Sequence, residues 1–241
     1  MFFINKYLIP ILLLQCSVIY CKISPDYIVP CVGLKSECLK KTIQEVIPHF
    51  VKGIPNIGVN STDPYYSKNI DLEFPGGLKL QFSEGVFTGL RKCIVEDASY
   101  QNREANVEFR CNITAKGKYK ALGQILIISI RGDGDAKIKV TDFILKGKLK
   151  FTDAVRDGIT YSEIKKYDVS YEVKDKVQFA LTNLFDGNSE LSETVLKFMN
   201  ENWREVVDEF GGPIFKEVVS SAIENIRNFF GNIPKDELFI V

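Results

Sequence analysis

Residues 189–233 read SELSETVLKFMNENWREVVDEFGGPIFKEVVSSAIENIRNFFGNI, and the fold turns on how this stretch is read. Apolar side chains recur at Leu191, Val195, Met199, Trp203, Val206, Val207, Phe210, Ile214, Val218, Ala222, Ile226, Phe229 and Phe230. Steps of three and four place them on one stripe of an α-helix, with Glu201, Arg204, Glu205, Asp208, Glu209, Lys216, Glu217 and Glu224 on the other face. Asn188 or Ser189 caps the start by accepting from the free N–H groups of the first turn. Gly231 and Pro234 mark the stop. At ~1.5 Å per residue the helix spans roughly 60 Å. Pro213 follows Gly211-Gly212 inside the pattern and predicts a kink or a break there. A stripe this long needs a cover, and most of the remaining chain reads as strand.

Composition narrows the function. The chain has 241 residues, 45% of them apolar and 26% charged, as in an ordinary globular protein. Basic and acidic residues number 31 each, so the formal charge is zero. That argues against a nucleic-acid partner, which needs a basic face to neutralise phosphates. His49 is the single histidine, which removes most histidine-based catalysis and most zinc sites. It lies at the end of a short predicted helix, with Leu39, Ile43, Val46, Ile47 and Phe50 as its apolar stripe, and is read as structural.

Residues 1–21 read as a secretory leader: Lys6 is the only charge and Leu8 to Leu14 form a short apolar core. The core is well short of the ~20 residues that a membrane span needs, so no stable membrane insertion is expected. Residues 22–241 then form a single domain, secreted into an oxidising compartment, and a monomer is expected. Cleavage near Cys21 leaves Cys31, Cys38, Cys93 and Cys111. The six residues between Cys31 and Cys38 can turn far enough for a disulfide. A hairpin centred on Asn102 sets residue 93 opposite residue 111, which pairs Cys93 with Cys111. Asn60-Ser61-Thr62 and Asn112-Ile113-Thr114 are glycosylation sequons.

From residue 69 the apolar period changes to two. Ile70, Leu72 and Phe74, a Pro75-Gly76-Gly77 turn, then Leu78, Leu80 and Phe82 predict a hairpin. Further strands follow around Val107 to Ile113, Ile125 to Ile130, Ile138/Val140, Phe143/Leu145, Leu149/Phe151 and Tyr167 to Val173, with Arg131-Gly132-Asp133-Gly134-Asp135 read as a turn. Eight to ten strands between helices at the two ends indicate an antiparallel α+β fold rather than βαβ units.

Chemistry is scarce. No phosphate loop, nucleophile elbow or cysteine/histidine metal spacing occurs, so no enzyme, cofactor or metal is expected. An apolar cavity needs no reactive group. Burying ~400 Å² of ligand at ~25 cal/mol/Å² gains roughly 10 kcal/mol, and association costs take back several. Phe143, Phe179, Phe198, Met199, Trp203, Val206 and Phe210 are the candidate lining, each equally readable as core.

Several pieces then stand in a telling order: Cys31-x6-Cys38, Ile47-Pro48-His49-Phe50-Val51-Lys52-Gly53-Ile54-Pro55, residues 123–134, Asn183-Leu184-Phe185-Asp186-Gly187, Asn200-Glu201-Asn202-Trp203, and Ile233-Pro234-Lys235-Asp236-Glu237-Leu238-Phe239. Across the mature chain the sequence resembles the insect juvenile-hormone-binding-protein and takeout family, and it looks closer to takeout. The resemblance implies a secreted carrier of small lipophilic molecules. Its fold would be a strongly curved antiparallel sheet wrapped around a long C-terminal helix, enclosing a hydrophobic tunnel, similar to the lipid-binding domains of the bactericidal/permeability-increasing type. Cys31–Cys38 maps onto the family's N-terminal bridge, whereas Cys93–Cys111 departs from the commoner takeout pattern. The competing reading is a secreted, glycosylated interaction protein with a filled core.

Overall fold

The computed structural model describes residues 22–74, 77–125 and 128–240. The expected leader, residues 1–21, and Pro75 and Gly76 of the expected turn lie outside them. In chain order the elements are β1 (Cys31–Val32), α1 (Ser36–Phe50), β2 (Tyr65–Tyr66), β3 (Ile70–Glu73), β4 (Lys79–Thr88), β5 (Ile94–Gln101), β6 (Glu104–Ile125), β7 (Ile128–Arg156), β8 (Ile159–Leu181), α2 (Ser189–Glu201), α3 (Trp203–Asn232), α4 (Lys235–Leu238) and β9 (Phe239–Ile240).

One antiparallel sheet dominates, in the order β2-β4-β6-β7-β8, with β3 also on β4 and β5 also on β6. β6, β7 and β8 have 22, 29 and 23 residues. Laid straight, β7 would reach ~95 Å, whereas a compact chain of this size has a radius of gyration of about 17 Å. The sheet is therefore strongly curved, and facing irregularities help it bend. Register shifts occur at Cys111/Ile113 in β6 and Thr141/Phe143 in β7. Between them Asn112 Oδ1 accepts from the Asp142 N–H at 2.9 Å.

Two expectations change here. The segment Arg131–Asp135 is not a turn but lies inside β7, where Gly132 pairs with Ala121 and Gly134 with Tyr119. Its glycines allow close approach: a Cβ on Gly132 would lie 2.5 Å from the Tyr119 hydroxyl oxygen. One long strand thus replaces several short ones, and only β2 to β8 occupy the range where eight to ten strands were expected. The long helix is also divided elsewhere. It breaks at Asn202 (φ −111°, ψ 40°), whose backbone N–H and Nδ2 both donate to the Phe198 carbonyl at 2.9 Å. α3 runs unbroken through Gly211-Gly212-Pro213. Pro213 withdraws one donor from the Glu209 carbonyl, on an exposed residue that water can serve. A Cβ on Gly211 would lie 3.0 Å from the Tyr171 hydroxyl oxygen, so this glycine makes room for a ring of β8.

The β5–β6 hairpin turns on Asn102 and Arg103, both left-handed (φ 52° and 62°), as a two-residue loop favours. Gln101 pairs with Glu104, a register that would set residue 93 opposite residue 112. A bulge between Val95 and Asp97 shifts it by one, and Cys93 meets Cys111 with Cα atoms 4.4 Å apart. Cys31 and Cys38 are bonded with Cα atoms 5.8 Å apart.

The open edges of the sheet are closed by side-chain amides. Gln44 of α1 donates to the Cys93 carbonyl (3.0 Å) and accepts from the Val95 N–H (2.8 Å) on β5. Asn200 of α2 accepts from the Phe179 N–H (2.8 Å) and donates to its carbonyl (3.0 Å) on β8. A carboxamide carries one donor side and one acceptor side, as a missing neighbour strand would. At one end of the molecule, Ile28, Ile54, Ile57, Val59, Phe229, Ile233 and Leu238 form a core, and β1 pairs with β9 in parallel beside it. A second cluster joins Leu149, Phe151 and Ile164 to Ile223 of α3. A third, around Tyr119, Ala121, Ala136 and Leu184, packs on Val195 and Leu196 of α2.

Candidate ligand-binding interior

Between these clusters lies the stretch of α3 that the sequence pattern singles out. α3 buries Trp203 at its start and Ile223, Asn225 and Phe229 near its end. Val206, Val207, Phe210, Ile214, Phe215, Val218 and Val219 stay half-buried. The concave strand face matches them: Ile138, Val140, Phe143 and Leu145 of β7 and Val169, Tyr171 and Val173 of β8 are half-buried too. Rings bridge the two sides. Phe143 lies 5.7 Å from Tyr171, Tyr171 lies 4.3 Å from Phe215, and Phe210 meets Phe74 at 4.7 Å. Burial pushes up the Tyr171 hydroxyl pKa, and the Asp208 carboxylate adds to it. The two apolar faces thus touch through their rings, while their side chains stay partly accessible.

Of the candidate lining residues, Phe143 and Phe210 join this interior through their ring contacts. Met199 and Val206 are half-buried beside it. Trp203 is 8% exposed, with the Arg204 guanidinium 4.2 Å over its ring. Trp203 and Phe179 line a cleft of about 530 Å³ at the helix break, together with Asn200, Glu201, Lys137, Lys139 and Lys176. Phe198 stands apart, 62% exposed. Asn200 turns toward β8, and two residues around a helix is ~200°, so Phe198 points the other way. Phe74, Tyr171 and Phe215 were absent from the candidate set. Tyr171 was legible in its alternating strand, but only contact across the fold reveals Phe215 as its partner.

Both sequon asparagines are exposed. The Asn60 backbone is clasped by the buried Asn225 side chain, through bonds of 2.8 and 3.2 Å. His49 stacks on Tyr27 at 4.5 Å. Among the described residues no helix is long and apolar enough to cross a membrane.

A large curved antiparallel sheet packed against a C-terminal helix defines the class of fold. The chain matches the family described as haemolymph juvenile hormone binding protein (JHBP) over residues 10–240, and it belongs to that family. It is similar to the crystal structure of Epiphyas postvittana Takeout 1, with a TM-score of 0.83 and 33% identity over 88% of this chain and 99% of that one. It is 27% identical over 230 residues to the circadian clock-controlled protein daywake of Drosophila yakuba, covering 89% of this chain and 88% of that protein. The Drosophila melanogaster daywake is 26% identical over 216 residues, covering 84% and 83%.

Proposed function

We propose that the protein is a secreted carrier, processed after its leader, that holds one small lipophilic molecule between α3 and the concave face of β7 and β8. A juvenile-hormone-like isoprenoid, a fatty acid or a similar lipid has the required chemistry. The observation that carries this reading is the run of half-buried apolar side chains on α3 from Val206 to Phe215, facing half-buried Phe143, Tyr171 and Val173 of the strands. Ile223 and Phe229 show the fuller burial that packed side chains reach further along the same helix. An apolar chain lying along Phe143, Tyr171, Phe210 and Phe215 completes their burial, and each added CH₂ contributes about 0.8 kcal/mol. Membership of a hormone-binding family supports the same reading. The carrier needs no catalytic group, and Asn60 and Asn112 are offered as glycan sites.

The test is organic extraction of protein purified from its native source, followed by mass spectrometry. Stoichiometric recovery of one lipid class is expected. Repeated recovery of none, with no binding of a fluorescent fatty-acid probe, would leave the filled-core alternative.

A further inference from the structure

The outer face of the sheet has a feature that ligand storage does not explain. Register alone places an unbroken row across it: Tyr66 on β2, Val86 on β4, Lys116 on β6, Lys137 on β7 and Ala180 on β8. The next row carries Thr114, Lys139 and Gln178, and beyond it Thr141 pairs with Lys176. Lys116, Lys137, Lys139 and Lys176 are all exposed and are neighbours on one surface. None of the four is paired with a carboxylate among the described residues. Lys118 and Lys120 beside them are neutralised, by Asp135 at 2.6 Å and Asp133 at 3.4 Å. A chain of zero formal charge thus concentrates uncompensated positive charge on one patch. Tyr66, 69% exposed, stands at one side of it. At the other side the cleft at the helix break opens among Lys137, Lys139, Lys176, Trp203 and a single carboxylate, Glu201.

We propose that this face docks on the surface of anionic phospholipid bilayers. The four ammonium groups meet the headgroup phosphates and carboxylates, and Tyr66 sits at the interface, where an amphipathic ring is favoured. The charge complementarity is present whether or not the interior holds a lipid, so docking stands independently of the carrier reading. Where both hold, the docked face sets the helix break and its cleft against the membrane.

The experiment is flotation with vesicles of phosphatidylcholine alone and with 30% phosphatidylserine. The protein is secreted into the bacterial periplasm, so that the disulfides form and no glycan stands on Asn112, which shares this face. Each lysine near an anionic surface raises partitioning about fivefold, so Lys137→Glu/Lys139→Glu should lose about 25-fold or more on the anionic vesicles. Binding should also fall steeply between 50 mM and 500 mM salt. A control of equal charge change, Lys150→Glu/Lys166→Glu, alters a register pair ~35 Å further along β7 and should keep affinity within about threefold. A fluorescent fatty-acid probe, read separately, should bind all three proteins alike, which separates failure of docking from failure of carriage. The proposal is overturned by equal binding to neutral and anionic vesicles, or by no binding to the anionic ones. It is equally overturned if the control pair loses as much as the patch pair. Displacement from vesicles by glycerophosphate, but not by chloride of equal ionic strength, would assign the lysines to a soluble anion instead.

Discussion

Three carboxamides do at single residues what long-range pairing does elsewhere in the fold. Gln44, Asn200 and Asn225 each satisfy a backbone donor and a backbone acceptor on a segment remote in sequence. Asn225 is the most enclosed, at 1% exposed. Replacing it with Leu leaves the Asn60 N–H and carbonyl without partners and should cost about 2 kcal/mol or more by urea unfolding. Asn228→Ala removes only an exposed bond to the Gly58 carbonyl and should cost less than about 1 kcal/mol. Tyr119 offers a pH test. Its hydroxyl donates to the Thr182 carbonyl at 2.9 Å, and burial, with the Asp133 charge second, pushes its pKa up to about 12. The unfolded value is about 10, so the folded state holds this proton more tightly. The contribution is fully present below pH ~10 and is lost as pH rises toward about 12. Stability measured across that window should fall more steeply in the native protein than in Tyr119→Phe.

At the level of elements, α2 and α3 carry the main lesson. The two glycines before Pro213 have different surroundings. A Cβ at Gly212 meets nothing within 4 Å, whereas one at Gly211 meets Tyr171 Oη at 3.0 Å and Val207 Cγ1 at 3.3 Å. Gly212 precedes Pro213, whose ring crowds a preceding Cβ in the helical region, so Gly212→Ala should gain less than the ~1 kcal/mol that helix propensity gives elsewhere. Gly211→Ala should gain little, and should recover the gain in a Tyr171→Phe background; thermal unfolding of the four proteins measures the coupling. The α3 stripe, the cap at Asn188 and the β5–β6 hairpin were legible because local spacing and turn chemistry set them. The break at Asn202 was not, because it depends on Asn200 reaching the β8 edge. The Gly211-Gly212-Pro213 signal was real, but it reports a ring on another strand. The span of β7 was hidden for the same reason: Gly132 and Gly134 look like turn residues until Tyr119 and Thr182 are seen against them.

For the whole molecule, buried clusters pack toward the two ends of the helical segment, and the apolar side chains between them are half-buried. Candidate lining residues can be picked from the helix stripe, but which of them are buried and which half-buried cannot. That division depends on which strand faces each turn of α3, and sequence distance does not encode it. Leu145 lies in the middle of the wall: it pairs with Tyr171 on the concave face, and it is half-buried. Carriage in the interior is tested by titrating a fluorescent fatty-acid probe into the native protein and Leu145→Trp, with thermal unfolding of both. Saturable one-to-one binding to the native protein is expected, weakened tenfold or more in Leu145→Trp, with stability kept or raised. Absence of saturable binding would contradict it, as would a loss of about 1–3 kcal/mol in the variant, the cost of overpacking a core that is already full.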